Sequence, residues 1–223
     1  MIFGQRVQAT VTAAPAEWIA QTCREPFGSV GSLVPNRFPA VLRVQAPAPC
    51  EDWWPAYRAL FATIARIGER HTSTPDRAWF AMWEGHGFYT TTTNVAWREP
   101  VDDANREARA RQRSRFADED ARRSAATRAA LGQIPRFVRP DRSYYLLSGP
   151  VAAVTELRTP LPDRPWQRPD LFWPHDRSWF VGTDVDFWSL YVGGTHELLA
   201  KLADAIPTPT EIVGVDDWLE PED

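Results

Sequence analysis

One local pattern, Pro-Asp-Arg-small-aromatic-aromatic, occurs three times and constrains the fold of this chain more than any other feature. The copies begin at Pro75, Pro140 and Pro174, and the third has His175 inserted after its proline. Proline and aspartate favour a turn, and two consecutive aromatic residues favour the start of a strand. The pattern therefore predicts three strands, each entered through an Asp-Arg turn.

The repeat has two interpretations. The spacing between the copies is too unequal for a solenoid or a propeller, so turn chemistry used three times is one explanation and requires no function. The other places the three Asp-Arg turns along one edge of a sheet, where they would form a charged rim. That interpretation requires the three strands to be neighbours.

The rest of the chain predicts a mixture of helices and short strands. Apolar residues recur at three- and four-residue spacing over 50–71, which predicts an amphipathic helix, and a second helix is expected from its N-cap Thr195 to Ala205. Strands are predicted at 38–44, 142–147, 178–187, 188–192 and 212–215, and residues 75–89 are predicted to form a strand followed by a Gly-His-Gly turn. We therefore expect an α+β fold with one domain over 1–223, in which a mixed or antiparallel sheet packs against a few helices.

Two segments differ from the rest in charge. Residues 98–135 are rich in Arg, Ala and acidic residues of nearly balanced charge, which predicts a charged helical or mobile insertion. An alternative is that 98–128 form a helix that binds nucleic acid, but the net charge of −4 gives the chain no general attraction to nucleic acid or to anionic membranes. The acidic residues 216–223 predict a frayed tail.

The chain has the features of a cytoplasmic protein. The first residues lack the apolar core of a signal peptide, and no apolar run approaches the roughly 18 residues of a membrane span. Cys23 and Cys50 lie far apart without a Cys-x-x-Cys pattern, so buried reduced thiols are expected, with one disulfide as the alternative. No membrane partner is expected.

Aromatic residues predict both the core and a binding groove. The chain contains 11 tryptophans, most of which we expect in the core, with a few lining a groove or interface. The predicted groove consists of Trp83, Trp173, Trp179 and Tyr191. Alternation along 178–187 places Trp179 and Val181 on a core face and Asp184 and Asp186 together on the other face.

Two carboxylates on one strand face repel each other unless they lie at the surface or share a cation or basic group. A divalent metal bound by Asp184 and Asp186, with Glu84 or His175 as a further ligand, would allow metal-assisted hydrolysis. The simpler interpretation is a solvated or arginine-paired strand face. His86, in a glycine-flanked turn, is more typical of an exposed histidine than of a catalytic one.

Four segments resemble an uncharacterised family of actinobacterial proteins. The resemblance lies in 33–44, 79–87, 143–151 and 171–194, through Trp-Glu-Gly, Tyr-Leu-Leu-x-x-Gly-Pro and Trp-Pro-x-Asp-Arg-x-Trp…Tyr-Val-Gly-Gly segments. It implies no established activity and no catalytic residue. The family pattern implies a small hydroxyl residue before Tyr191, where this chain has Leu190.

The absence of nucleophile-elbow, zinc-protease, phosphate-loop and dinucleotide motifs favours a non-enzymatic binding or interaction module, such as an immunity-type or regulatory protein. Its partner would be a protein or a small molecule, and no cofactor is expected. The alternative is a metal-assisted hydrolase using Asp184 and Asp186. The predicted binding residues are Trp83, Glu84, Trp173, Asp176, Arg177, Trp179, Asp184, Asp186 and Tyr191.

Overall fold

A computed structural model of the chain describes residues 3–24, 26–47, 53–86, 125, 129, 131–140, 142–158 and 166–219. Within these residues the strands are β1 Gln8–Ala9, β2 Ala40–Gln45, β3 Ala78–Trp83, β4 Arg136–Arg139, β5 Arg142–Gly149, β6 Leu171–Pro174, β7 Phe180–Thr183, β8 Ser189–Gly194 and β9 Thr210–Val213. The α-helices are α1 Glu17–Thr22, α2 Val30–Leu33, α3 Trp53–Gly68 and α4 His196–Ala205. Short 3₁₀ segments cover Ala14–Ala16, Glu69–His71, Glu84–His86 and Val151–Glu156.

The strands form one sheet in the order β1-β5-β3-β6-β7-β8-β2-β9, and every pairing is antiparallel. Strand β4 pairs with β5 on the same edge as β1, because β3 occupies the other edge of β5. This architecture confirms the expected α+β fold. It also fixes which strand ends lie together, since antiparallel neighbours begin at opposite ends of a sheet.

Helices cover both faces of the sheet, so nearly every residue of the central strands β3, β6, β7 and β8 is buried. On one face, α3 and α4 contribute Phe61 and Leu199 to a core that includes Phe80 and Val181. On the other face, a second core contains Ile19 of α1 and Leu33 of α2 together with Trp173, Tyr191 and Phe180. Burial on both faces explains why these central strands are almost continuously apolar.

Helix α2 lies very close to the sheet, and a glycine permits this. A Cβ atom on Gly182 would lie 3.0 Å from Cγ of Leu33, which is tighter than normal packing. Glycine at this position lets α2 rest directly on β7. The helix therefore leaves no open groove over the middle of β7.

Several local predictions are confirmed and one is wrong in extent. The Thr195 hydroxyl caps α4 by accepting the Leu198 N–H at 3.3 Å, and β9 is an edge strand as expected. The strand predicted over 178–187 ends at Thr183, because the backbone N–H of Asp186 bonds back to the Asp184 carboxylate at 3.2 Å and forms a turn. Phe187 consequently packs on the face opposite to Val181 rather than beside it.

The chain beyond 215 does not form a free tail over its described part. Leu219 is buried and its N–H bonds to the Gly28 carbonyl at 2.9 Å, so 216–219 are tied to the N-terminal segment. Of the predicted insertion 98–135, most lies outside the described residues, but Leu131 and Ile134 are buried in the core. Cys50 also lies outside them, and Cys23 is a free thiol. No described helix has the length and apolarity needed to cross a bilayer.

Candidate functional site

The four aromatic residues predicted to line one groove do not lie together at the surface. Trp173, Trp179 and Tyr191 are fully buried, and Trp179 belongs to the core on the opposite face of the sheet from the other two. Trp179 has a structural contact of its own, because its indole N–H donates to the Gly68 carbonyl at the end of α3 at 3.0 Å. Only Trp83 is partly exposed, so the predicted groove is not formed.

The Asp176-Arg177 opening is a turn that holds two loops together. Asp176 Oδ2 accepts hydrogen bonds from the backbone N–H and the hydroxyl of Ser73 at 2.7 and 2.8 Å, and Oδ1 accepts from the N–H of Ser178 at 3.1 Å. Partial burial opposes ionisation, but these hydrogen bonds prevail and lower the pKa of Asp176 to about 2. Both oxygens of the Asp176 carboxylate therefore accept hydrogen bonds within the turn and its neighbouring loop.

The three Asp-Arg openings do not form one rim. Strands β3 and β5 are antiparallel, so Arg77 before β3 and Arg142 at the start of β5 lie at opposite ends of the sheet. Arg177 lies at the same end as Arg77, since the His175 N–H bonds to the Arg77 carbonyl at 2.9 Å. Asp141, the aspartate of the middle copy, lies outside the described residues. The charged-rim interpretation is wrong because it ignored strand direction.

Asp184 and Asp186 converge, as predicted, but on an arginine. Arg142 donates through Nε and Nη2 to the two oxygens of Asp184 at 3.1 Å each, and through Nη2 to Asp186 Oδ2 at 2.9 Å. The Asp184 side chain is only 4% exposed whereas that of Asp186 is 66% exposed. This forked geometry is the strongest form of arginine–carboxylate pairing. Bonding to Asp184 raises the pKa of Arg142, which stays charged.

Trp83 and Glu84, although adjacent, contact different groups. The Arg142 guanidinium lies 4.8 Å from the centroid of the Trp83 ring, in a cation–π arrangement. Glu84 instead accepts both of its described hydrogen bonds from Arg136, at 2.9 and 2.8 Å. His175 is at the other end of the sheet, so it cannot join Asp184, and the side chain of His86 lies outside the described residues. The four predicted carboxylates thus contact three separate sets of groups.

A buried polar network lies behind Asp184. Arg168 donates to the Thr183 hydroxyl at 2.8 Å and to the Asp184 backbone carbonyl at 2.9 Å, and it lies 3.9 Å from the Asp170 carboxylate. Asp170 in turn accepts the N–H of Trp83 at 2.6 Å. These contacts satisfy buried charges that would otherwise be costly, and they fix the chain on both sides of Asp184 and at Trp83.

A surface cavity of about 170 Å³ lies beside Arg142. It is formed where the loop before α2 meets the end of β4 and the start of β5. The Arg142 guanidinium lies 5.9 Å from the ring of Phe27 in this wall. We call this cavity the arginine cavity. Its lining residues are Arg24, Pro26, Phe27, Arg139, Pro140, Arg142 and Tyr144.

The three arginines of the cavity differ in whether a described carboxylate neutralises their charge. Arg24 forms an ion pair with the exposed Asp216, and Arg142 is held by Asp184 and Asp186. Arg139 bonds to the Ser32 backbone carbonyl, and across the described part of the chain it contacts no carboxylate. Burial raises the pKa of Tyr144, so its phenol remains a neutral group in this wall. Among the described residues, the cavity therefore contains one fixed cationic group, Arg139, that no carboxylate contacts.

Sequence reasoning missed most of this site. Arg142 was noticed as one copy of the repeat, but Arg24, Phe27, Arg139 and Tyr144 gave no signal of their own. Their proximity depends on α2 and the loop before it packing across the ends of β4 and β5, which are more than a hundred residues away in the chain. Within the residues described, no three His, Cys, Asp or Glu side chains are grouped as metal ligands. No protein-family model matches the chain, and no curated protein or solved structure is significantly similar to it.

Proposed function

We propose that the protein is a non-enzymatic binding protein that recognises the oxyanion group, a carboxylate or a phosphate, of a small ligand in the arginine cavity. The observation that supports this proposal is Arg139, a cavity-lining arginine without a carboxylate partner in the described chain. Arginine donors suit planar oxyanions because the guanidinium forks match two acceptor oxygens.

The size of the cavity supports a small group rather than a whole ligand. Its volume of about 170 Å³ is below the usual range of pockets that enclose drug-sized molecules. At about 30 Å³ for each water, it has room for about five waters or one phosphate-sized group. The remainder of the ligand would lie outside, against the apolar walls supplied by Phe27 and the two prolines.

The rigidity of Arg142 also supports recognition. Its guanidinium is held by Asp184 and Asp186 and lies over Trp83, so it requires little ordering when a ligand enters. The two carboxylates take up much of its charge, which leaves Arg139 as the principal anion-binding group. Arg142 then serves to keep the cavity in shape.

The geometry supports the metal-assisted hydrolase less well. A metal ion at Asp184 and Asp186 would have to displace Arg142 from both carboxylates, and Asp184 is almost completely buried. Cys23 is not supported as a nucleophile either, because burial raises the pKa of its thiol to about 11. The hydrolase stays a prediction that a metal titration tests.

The test measures thermal unfolding with phosphate or acetate at about 10 mM against chloride at equal ionic strength. We expect either oxyanion to raise Tm in the unaltered protein, and Arg139→Gln to remove that rise while Arg139→Lys keeps part of it. Arg66→Gln, at an exposed position on α3, is the matched control and should leave the rise unchanged.

Two results would contradict this proposal. One is the absence of any rise in Tm beyond that caused by chloride. The other is a rise of equal size in Arg139→Gln, which would place the anion elsewhere. Each variant's own Tm without added anion shows whether it folds, so a loss of binding is distinguished from a loss of structure.

A further inference from the structure

The end of the sheet opposite to the arginine cavity carries a different cluster of arginines. The Arg37 and Arg177 guanidiniums lie 5.5 and 5.1 Å from the centroid of the Trp18 ring. The Arg77 guanidinium lies 5.3 Å from the centroid of the Trp79 ring. We call this surface the Arg–Trp face and define it by Arg37, Arg77 and Arg177 with Trp18 and Trp79 beneath them.

The face is continuous across the turn that precedes β7. The His175 ring lies 5.9 Å from that of Trp79, and the His175 N–H bonds to the Arg77 carbonyl. Two residues further along the chain, Arg177 reaches Trp18. Arg37, which follows α2, approaches the same indole, so three separate segments place their arginines on one surface.

The arginines of this face contact no acidic side chain among the residues that the structure describes. In the described chain, Arg37, Arg77 and Arg177 contact no carboxylate, in contrast to Arg24 and Arg142. Asp176, the nearest acid in sequence to Arg177, directs its oxygens to Ser73 and Ser178 instead. Three arginines that no described carboxylate contacts thus lie close together on a chain whose net charge is −4.

These arginines are held in position before any partner arrives. Contact with an indole face restricts each guanidinium while leaving its edge N–H groups directed toward solvent or a partner. Arg177 has φ of 58°, an uncommon conformation for a residue with a side chain, and the hydrogen bonds of Asp176 fix the turn around it. Such preorganisation lowers the entropy cost of binding.

We propose that the Arg–Trp face binds an acidic segment of a partner protein. Arginine is enriched in protein interfaces, and separate carboxylates suit separate guanidinium edges. Nucleic acid fits less well, because Trp18 and Trp79 are each only 5% exposed and cannot stack on bases. The exposed Asp76 beside Arg77 would also repel a continuous run of phosphates, whereas spaced carboxylates can avoid it.

The test uses a fluorescein-labelled peptide of about ten residues with alternating Glu and Ser, measured by fluorescence anisotropy at low salt. The comparison probes are the same peptide with Gln for Glu and an oligothymidine of equal charge. Arg37→Gln, Arg77→Gln and Arg177→Asn are combined in one variant, with Asn chosen because it tolerates a positive φ. The matched control combines Arg66→Gln, Arg70→Gln and Arg158→Gln, which removes the same charge from exposed positions elsewhere.

We expect the glutamate peptide to bind in a salt-sensitive way, the triple variant of the face to lose about tenfold in affinity, and the control triple to lose less than about twofold. Four results would each overturn the proposal. The first two are equal binding of the glutamine peptide and absence of any binding. The other two are tighter binding of the oligothymidine and equal losses of affinity in the two triple variants. Near-UV circular dichroism of both triple variants shows that they retain the native fold, so the comparison concerns the surface alone.

Discussion

Arg142 at one end of the sheet and the arginines at the other end are in opposite circumstances. At the cavity end, Arg142 is neutralised by Asp184 and Asp186, and one of those carboxylates is buried. At the other end, Arg77 and Arg177 lie on tryptophan rings without a carboxylate in the described chain. The first arrangement stabilises the folded chain, and the second leaves charge for a partner.

The difference follows from burial. An ion pair with a buried member is costly to break, because removing one partner leaves the other charge without solvent or counterion. An exposed arginine on an aromatic ring contributes about 0.5–1 kcal/mol and remains hydrated at its edges. Stability and recognition are thus assigned to different arginines rather than shared by one set.

The largest expected effect tests the buried member of the cavity pair. Asp184→Asn should lower the free energy of unfolding by about 3 kcal/mol, because it removes the buried carboxylate that is paired with Arg142. Asp186→Asn, which alters the exposed carboxylate on the same arginine, should cost less than about 1 kcal/mol. Urea unfolding of both variants measures the difference.

Equal costs for the two substitutions would break the comparison. It would mean that burial does not decide the strength of the Arg142 pairs, and that the buried network behind Asp184 is not coupled to it. A cost confined to Asp184→Asn would sharpen the comparison, because both carboxylates contact the same Nη2 atom of Arg142.

The smaller second effect concerns Asp176, a carboxylate at the other end that is held by hydroxyl and N–H groups rather than by arginine. Its pKa of about 2 in the folded chain lies below the ordinary value of 3.8, so ionised Asp176 stabilises the fold above about pH 4. That contribution is lost as the pH falls from about 4 to about 2. Asp176→Asn should cost about 1 kcal/mol at neutral pH, a figure reduced for solvent screening, and little at pH 2.

Thermal unfolding of Asp176→Asn and of the unaltered protein between pH 2 and neutral pH measures whether the difference in their stability disappears at low pH. The matched control is Asp76→Asn, at the equivalent position of the first Asp-Arg opening, where the aspartate is exposed and no described hydrogen bond holds it. A constant difference in Tm across the whole pH range would show that the Asp176 charge does not stabilise the turn. Similar behaviour of Asp76→Asn would indicate a general charge effect.

The sequence predicted what depends on neighbouring residues. The Thr195 cap, the edge position of β9 and the alternation of Trp179 and Val181 with Phe180 all follow from local pattern, and each is observed. Each copy of the repeated opening is also followed by a strand, as predicted, although only the start of β5 at Arg142 matches the predicted residue. These features need no knowledge of how the strands pair.

The candidate site depends on how the strands pair, so it could not be predicted from local sequence patterns. Arg142 reaches Asp184 across strands β5 and β7, which are not adjacent in the sheet, so no sequence spacing indicates the contact. Composition predicts that most tryptophans are buried but not which ones, and Trp173 and Trp179 were assigned to a groove although both are in the core. The charged rim is not formed because β3 and β5 run in opposite directions, and turn residues alone do not specify strand direction.

The smallest expected effect is the response to divalent metals. Because Arg142 occupies both carboxylates at the cavity end, Mg²⁺, Mn²⁺, Ca²⁺ and Zn²⁺ at about 1 mM should leave Tm unchanged relative to an equal ionic strength of NaCl. A metal-specific rise in Tm that disappears in Asp186→Asn, a variant expected to fold, would show that a cation displaces the arginine. The paired arrangement would then be only one state of the site, and the metal-assisted hydrolase would become the better account of these two carboxylates.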